Sequence, residues 1–164
     1  MNRQEQQLMA DLIRSRRWAA LATHSADGPD ASWVAYASEA DFGGFLLHLS
    51  TLAAHTRNLL ASARAALAIS ATEQDGQDPQ TLARVSIQGE VTVLTRDSAA
   101  YQAAAQCYLH RLPDAAERFA FGDFLLLRLV PVRVRFIGGF ARAYTLDDVA
   151  LRAAARNTLS APVD

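Results

Sequence analysis

From residue 83 to residue 94 the chain alternates, with Val85, Ile87, Val91 and Val93 on one side and Arg84, Ser86, Gln88 and Glu90 on the other. That two-residue period belongs to a β-strand with one buried face and one face turned to water or a ligand. A strand of this kind needs neighbours, and other runs supply them. Residues 18–23 and 31–37 flank a polar connection in which Asp27-Gly28 offers the positive-φ residue that a hairpin requires. Gly43-Gly44 punctuates the chain before the apolar run 45–50, and residues 65–71 read as a buried strand. Residues 124–130 and 132–137 are rich in β-formers around Pro131, which suits a bend or a sheet edge.

Helices fill the intervals. Leu8, Met9, Leu12 and Ile13 form the apolar stripe of an amphipathic helix over residues 4–16. Helical patterns are also expected over 52–63 and 97–110, with Pro113 opening a short further turn. Thr145 with Asp148 is expected to cap a last helix through Ala154. Six or seven strands, several joined as hairpins, with helices around them describe a mainly β, α+β chain. The expected architecture is a closed or partly closed antiparallel barrel, folded as a single domain over residues 1–164.

Composition narrows the partners. Sixteen basic residues face 17 acidic ones, for a formal charge of −1, so no global field favours nucleic acid. No apolar run approaches the ~20 residues of a membrane span, and no targeting segment is visible. The single cysteine, Cys107, excludes an intrachain disulfide, and the four dispersed histidines have no zinc-site spacing. A cytoplasmic protein with no metal site is expected.

The chemistry concentrates in residues 49–59, where a strand end runs into a helix bearing Ser50, His55, Thr56, Arg57 and Asn58. Unpaired amides at a helix start attract anions, and Arg57 adds a forked, charged donor suited to phosphate. From spacing alone, a capped and solvated helix start explains the same residues. Arg84 stands on the polar side of its strand, where it either meets a ligand or pairs with Glu90. Gly138-Gly139 marks a bulge or a close approach to a ligand, and Arg142 lies within reach of the same place. Trp18 and Trp33 are expected to pack in the core or an interface.

Residues 49–59 resemble the phosphate-binding turn of the FMN split-barrel proteins, the pyridoxamine 5'-phosphate oxidase superfamily, and are most similar to its haem-utilisation branch. Three further features follow in the expected order: Asp27-Gly28-Pro29 before Ser32, the strand Arg84 to Gly89, and Asp123-Phe124 followed by residues 137–143. The resemblance implies a split barrel that binds FMN across a homodimer interface. Thr56 and Arg57 would hold the phosphate, with Ser50, His55 and Asn58 in support and Arg84 and Arg142 toward the ring. It further implies an oxidoreductase acting with a small-molecule substrate or electron donor, or alternatively a haem-binding or non-catalytic module. The Arg-rich strand of the oxidase proper is replaced by Ala31-Ser32-Trp33-Val34-Ala35-Tyr36. Oxidation of B6 vitamers is therefore not expected.

Overall fold

The computed structural model describes residues 1–139 and 142–159. Eight antiparallel strands run β1 (Trp18–Ser25), β2 (Gly28–Ala35), β3 (Ala37–Ser38), β4 (Phe45–Ser50), β5 (Arg64–Ser70), β6 (Arg84–Val93), β7 (Phe124–Ile137) and β8 (Ala143–Leu146). The helices are α1 (Arg3–Ser15), α2 (Ala54–Ala61), α3 (Ala99–Arg111) and α4 (Asp148–Leu159), with 3₁₀ segments at Pro79–Thr81 and Pro113–Ala120.

Strand order is β2-β1-β5-β6-β7-β4-β3, with β8 beside β7. The two ends of this path, β2 and β3, are separated in the chain by Tyr36 alone. The sheet must therefore curl until its edges meet, which makes a split β-barrel. Tyr36 sits at the seam, buried; its hydroxyl donates to the Ile13 carbonyl at 2.8 Å and its amide to the Arg17 carbonyl at 3.1 Å. The seam is thereby tied to the end of α1.

Alternation decides what fills the barrel. Leu21, Leu67, Ile69, Val85, Ile87, Val134 and Phe136 point inward, and α1 and α4 plug one end with Met9, Ile13, Leu151 and Ala155. Each such large side chain contributes about 1.5–3 kcal/mol on burial. The run β4 is buried on both faces: Phe45, Leu47 and Leu49 enter the barrel, while Leu46 joins Leu126, Tyr101 and Tyr108 under α3. This double burial is why its apolar residues do not alternate with polar ones.

Three expectations need correction. Residues 65–71 are not buried throughout: in β5 only Leu67 and Ile69 are, and Ala68 and Ser70 face solvent. Of the two places expected for Trp18 and Trp33, core or interface, the core is excluded: they stack on each other outside it, with ring centroids 6.2 Å apart and 57% and 61% exposed. The last helix is capped by Asp147, whose carboxylate accepts the Ala150 amide at 2.8 Å, rather than by Thr145, which lies in β8. Val93, expected inside, is exposed.

Pro131 interrupts no strand; β7 bends there as one element. The register slips between Gln88 and Gly89, leaving Val132 bulged outward and exposed. Gly89 allows the bend: a Cβ there would lie 2.2 Å from the Val130 carbonyl oxygen. Gly139 has φ +129° in the turn before β8, while residues 140 and 141, part of the late stretch singled out in the sequence, lie outside the described residues. Among the described residues no helix is long and apolar enough to cross a membrane.

Candidate functional site

The turn from β4 into α2 is held from below. The Ser50 hydroxyl donates to the Asp123 carboxylate at 2.5 Å and accepts the Leu52 amide at 3.1 Å, while the Thr51 amide donates to the Asp123 carbonyl at 2.8 Å. Ser50 thus shapes the turn. The N-cap of α2 is Ala53, which has no side-chain oxygen to offer, so the first-turn amides have no side-chain acceptor. An uncapped start is an open anion seat.

The other predicted residues of α2 divide by face. Thr56 is fully buried and its Oγ1 has no hydrogen-bond partner. Arg57 is exposed and spends one guanidinium nitrogen on the Leu52 carbonyl at 2.5 Å, leaving the rest of its fork outward. The Asn58 amide donates to Thr23 Oγ1 and to Asp30 Oδ2, both at 3.0 Å, pinning the helix to the β1–β2 hairpin. His55 is half-buried; desolvation lowers its pKa, and the nearby Asp30 carboxylate opposes this in part. Its imidazole is a neutral hydrogen-bonding group near neutral pH.

Arg84 and Arg142 form a separate group. Arg84 opens β6, opposite Ser70 and Ile137, and donates to the Gln80 and Leu82 carbonyls at 3.2 and 3.1 Å. Arg142 donates to the Gly138 carbonyl at 2.9 Å. Arg84 borders a largely apolar cleft of about 270 Å³ on the outer sheet face, with Ala20, Trp33, Ala68 and Arg135. Strand β5 leaves α2 at Arg64 and reaches Arg84 at Ser70. Six residue steps, about 20 Å, separate the two ends. The structure therefore brings Ser50, His55, Thr56, Arg57 and Asn58 together and leaves Arg84 and Arg142 elsewhere.

Thr23 and Asp30 were not legible as site residues, because only the fold brings them under Asn58. His48 was also missed. It is buried, stacked on Phe119 at 3.9 Å between Tyr108 and Phe124, with neither ring nitrogen paired. Burial, helped by the positive Arg118 and Arg96, pushes its pKa down to about 4. Between the two groups the outer face carries a second cleft of about 500 Å³, floored by Ala22 and Ala66 and edged by His24, Arg64 and Gln88. No group of three or more potential metal ligands occurs among the described residues.

The family model described as pyridoxamine 5'-phosphate oxidase matches residues 6–138. The non-canonical heme oxygenase HOZ of Arabidopsis thaliana chloroplasts is 37% identical over 117 residues, 71% of this chain and 34% of that protein. A heme binding protein from Mycobacterium smegmatis superposes with a TM-score of 0.81 at 29% identity, over 91% of this chain and 60% of that one. HutZ, the heme storage protein of Vibrio cholerae, shares the fold at a TM-score of 0.67 and 22% identity, over 75% of this chain and 87% of that one. The chain thus spans about a third of the plant relative and 60% of the mycobacterial one.

Proposed function

This chain belongs to the pyridoxamine 5'-phosphate oxidase family, and from that premise we propose that it is an FMN-binding flavoprotein working as a homodimer, an oxidoreductase for a small-molecule substrate or electron donor. One observation carries the cofactor assignment: α2 starts without a cap, beside an exposed Arg57 and a buried, unpartnered Thr56 hydroxyl. These groups fit a phosphate. The first-turn amides and Arg57 would hold its oxygens, and Thr56 and His55 would donate neutral hydrogen bonds. Ser50 and Asn58 would fix the turn and the helix that present them.

Bound FMN supplies the electron-accepting ring. The chain's part is to orient it and keep water away. The outer face offers a flat floor of Ala20, Ala22, Ala66 and Ala68 between the exposed Trp33 and Arg84. A second subunit laid on this face would enclose a ring and let Arg84 and Arg142 approach one whose phosphate is held at a distant α2. Electrostatic donation by a guanidinium near the ring would favour its reduced, anionic form. Cytoplasmic residence belongs to the same proposal, since a lone thiol suits a reducing compartment.

A haem reading is favoured by a different observation: relatives named as a heme binding protein and a heme oxygenase, together with an imidazole on the outer face. His24 edges the alanine-floored cleft with Arg64; the imidazole would ligate the iron and the guanidinium would pair with a propionate. Titration of the purified protein with FMN and with haem, followed by absorbance, separates the two. FMN saturating at one per subunit, with weakening by Arg57→Ala, supports the flavin reading. A Soret band at one haem per subunit, lost in His24→Ala, with no FMN bound, reverses it.

A further inference from the structure

A third cleft, of about 500 Å³, opens between the α1–β1 junction and the Pro113–Ala120 segment; it meets the Arg84 cleft only at Trp18, which stacks on Trp33. Its walls include Ser15, Arg16, Arg17, Trp18, Asp114 and Arg118. Three arginines, Arg16, Arg17 and Arg118, line it in a chain whose net charge is −1. Neither described ion pair, Arg128–Glu39 or Arg152–Asp41, involves them.

The cations are held open. Arg17 and Arg118 make no side-chain hydrogen bond among the described residues. Arg16 gives one nitrogen to Thr72 Oγ1 at 2.5 Å, and its Nε, shielded from solvent, has no partner. A buried guanidinium N–H without an acceptor is costly unless something supplies one. The walls are fixed by Arg111, which reaches from the end of α3 to donate to the Arg14, Ser15 and Arg16 carbonyls at 2.6, 2.9 and 3.3 Å. That cation also offsets the negative end of α1. The Arg17 carbonyl is tied to the Tyr36 amide at the seam. The cleft is therefore built before any ligand arrives, which lowers the ordering cost of binding.

The chemistry of the walls selects an occupant. Guanidinium forks match phosphate oxygens in pairs. Asp114 is an acceptor that repels a bare anion but takes a proton donor such as a ribose hydroxyl or a base amine. Trp18 adds an exposed aromatic wall, and the volume lies in the range of small-molecule sites. We propose that this cleft binds a nucleotide through its phosphates, with Arg16, Arg17 and Arg118 as the anion donors. The proposal does not rest on the flavin reading.

ADP is the probe, titrated by calorimetry and by tryptophan fluorescence, because Trp18 lines the cleft. ADP should saturate at one per subunit and quench the fluorescence. Adenosine should bind at least tenfold more weakly, and so should pyrophosphate. Arg17→Ala with Arg118→Ala should weaken ADP at least 100-fold, the order expected for two charged hydrogen bonds, while leaving FMN binding unchanged. Arg118→Gln alone, which preserves side-chain bulk, should weaken ADP at least fivefold. Arg57→Ala should leave ADP affinity as it was. Absence of saturable ADP binding overturns the proposal. Pyrophosphate binding as tightly as ADP also overturns it, by showing a simple anion site. Loss of ADP binding in Arg57→Ala with retention in the double variant overturns it by moving the nucleotide to α2.

Discussion

Asn58 and Asp30 are joined by a 3.0 Å hydrogen bond that locks the second turn of α2 to the first hairpin, and the same amide reaches Thr23 Oγ1. A helix of eight residues has little stability of its own. Its orientation, and hence the aim of its N-terminus, depends on this bond and on Leu59 packing below. Asn58→Ala leaves a carboxylate and a buried hydroxyl without their donor. We expect a loss of about 1–3 kcal/mol, hence a fall in Tm of roughly 3–9 °C. Scanning calorimetry checks it; an unchanged Tm would mean that the bond does not hold the helix.

Arg57 is exposed and, among the described residues, its side chain makes one hydrogen bond, to the Leu52 carbonyl, so its removal is expected to cost little stability. Its effect should appear in cofactor affinity. Arg57→Ala is expected to weaken FMN by about tenfold to 100-fold, the value of one charged hydrogen bond to phosphate. Riboflavin, which lacks the phosphate, should bind the wild type and the variant equally. Fluorescence titration of both flavins makes the comparison, and a parallel loss for riboflavin would argue for a distorted helix instead.

The strands were legible because alternation reports one-sided burial. In β6 the side chains of Val85, Ile87 and Val91 entered the core as the two-residue period requires. Ala66 and Ala68 misled because alanine carries no polarity signal; an exposed alanine face and a buried one look alike in sequence. The turn before α2 was legible for the opposite reason, since its polar residues are consecutive. Asp30 under Asn58, and Phe119 over His48, depend on contacts 28 and 71 residues apart in sequence. No local pattern encodes such pairs. Closure of the barrel through Tyr36 belongs to the same class, because it depends on which strands become edges.

Acid should act on the molecule through His48. Its folded pKa, about 4, lies below the ordinary value of 6.5 because the imidazole is buried among rings with no partner. Between pH 6.5 and 4 the unfolded chain therefore binds the proton that the folded chain refuses. Stability from this residue is complete above pH 6.5 and falls as pH drops toward 4. The loss is on the order of 2 kcal/mol after allowing for partial screening. His55, also lowered, adds in the same direction. Urea unfolding at pH 7 and pH 4.5 should show a smaller drop for His48→Phe than for the wild type; equal drops would assign the acid sensitivity elsewhere.

The outer sheet face makes the proposed dimer testable without a cofactor. Trp33 stands over a surface of small side chains, with Trp18 stacked at its edge, and Ala68 lies in the cleft bordered by Trp33, Arg84 and Arg135. An exposed aromatic ring on a flat, apolar sheet face is the composition of an interface core rather than of a solvated surface. A two-fold dimer would bring each face against itself, so one substitution acts twice. Ala68→Arg adds a third guanidinium beside Arg84 and Arg135 and, across the axis, a second set facing it. The repulsion and lost complementarity should raise the dimer dissociation constant by at least 100-fold, the scale of a few kcal/mol. Because Ala68 points away from the barrel, folding should be retained, as circular dichroism would show. Light scattering at micromolar concentration should then give a mass near 17.8 kDa for the variant and about twice that for the wild type. A wild type that is monomeric under these conditions, or a variant that stays dimeric, would move the interface to another face.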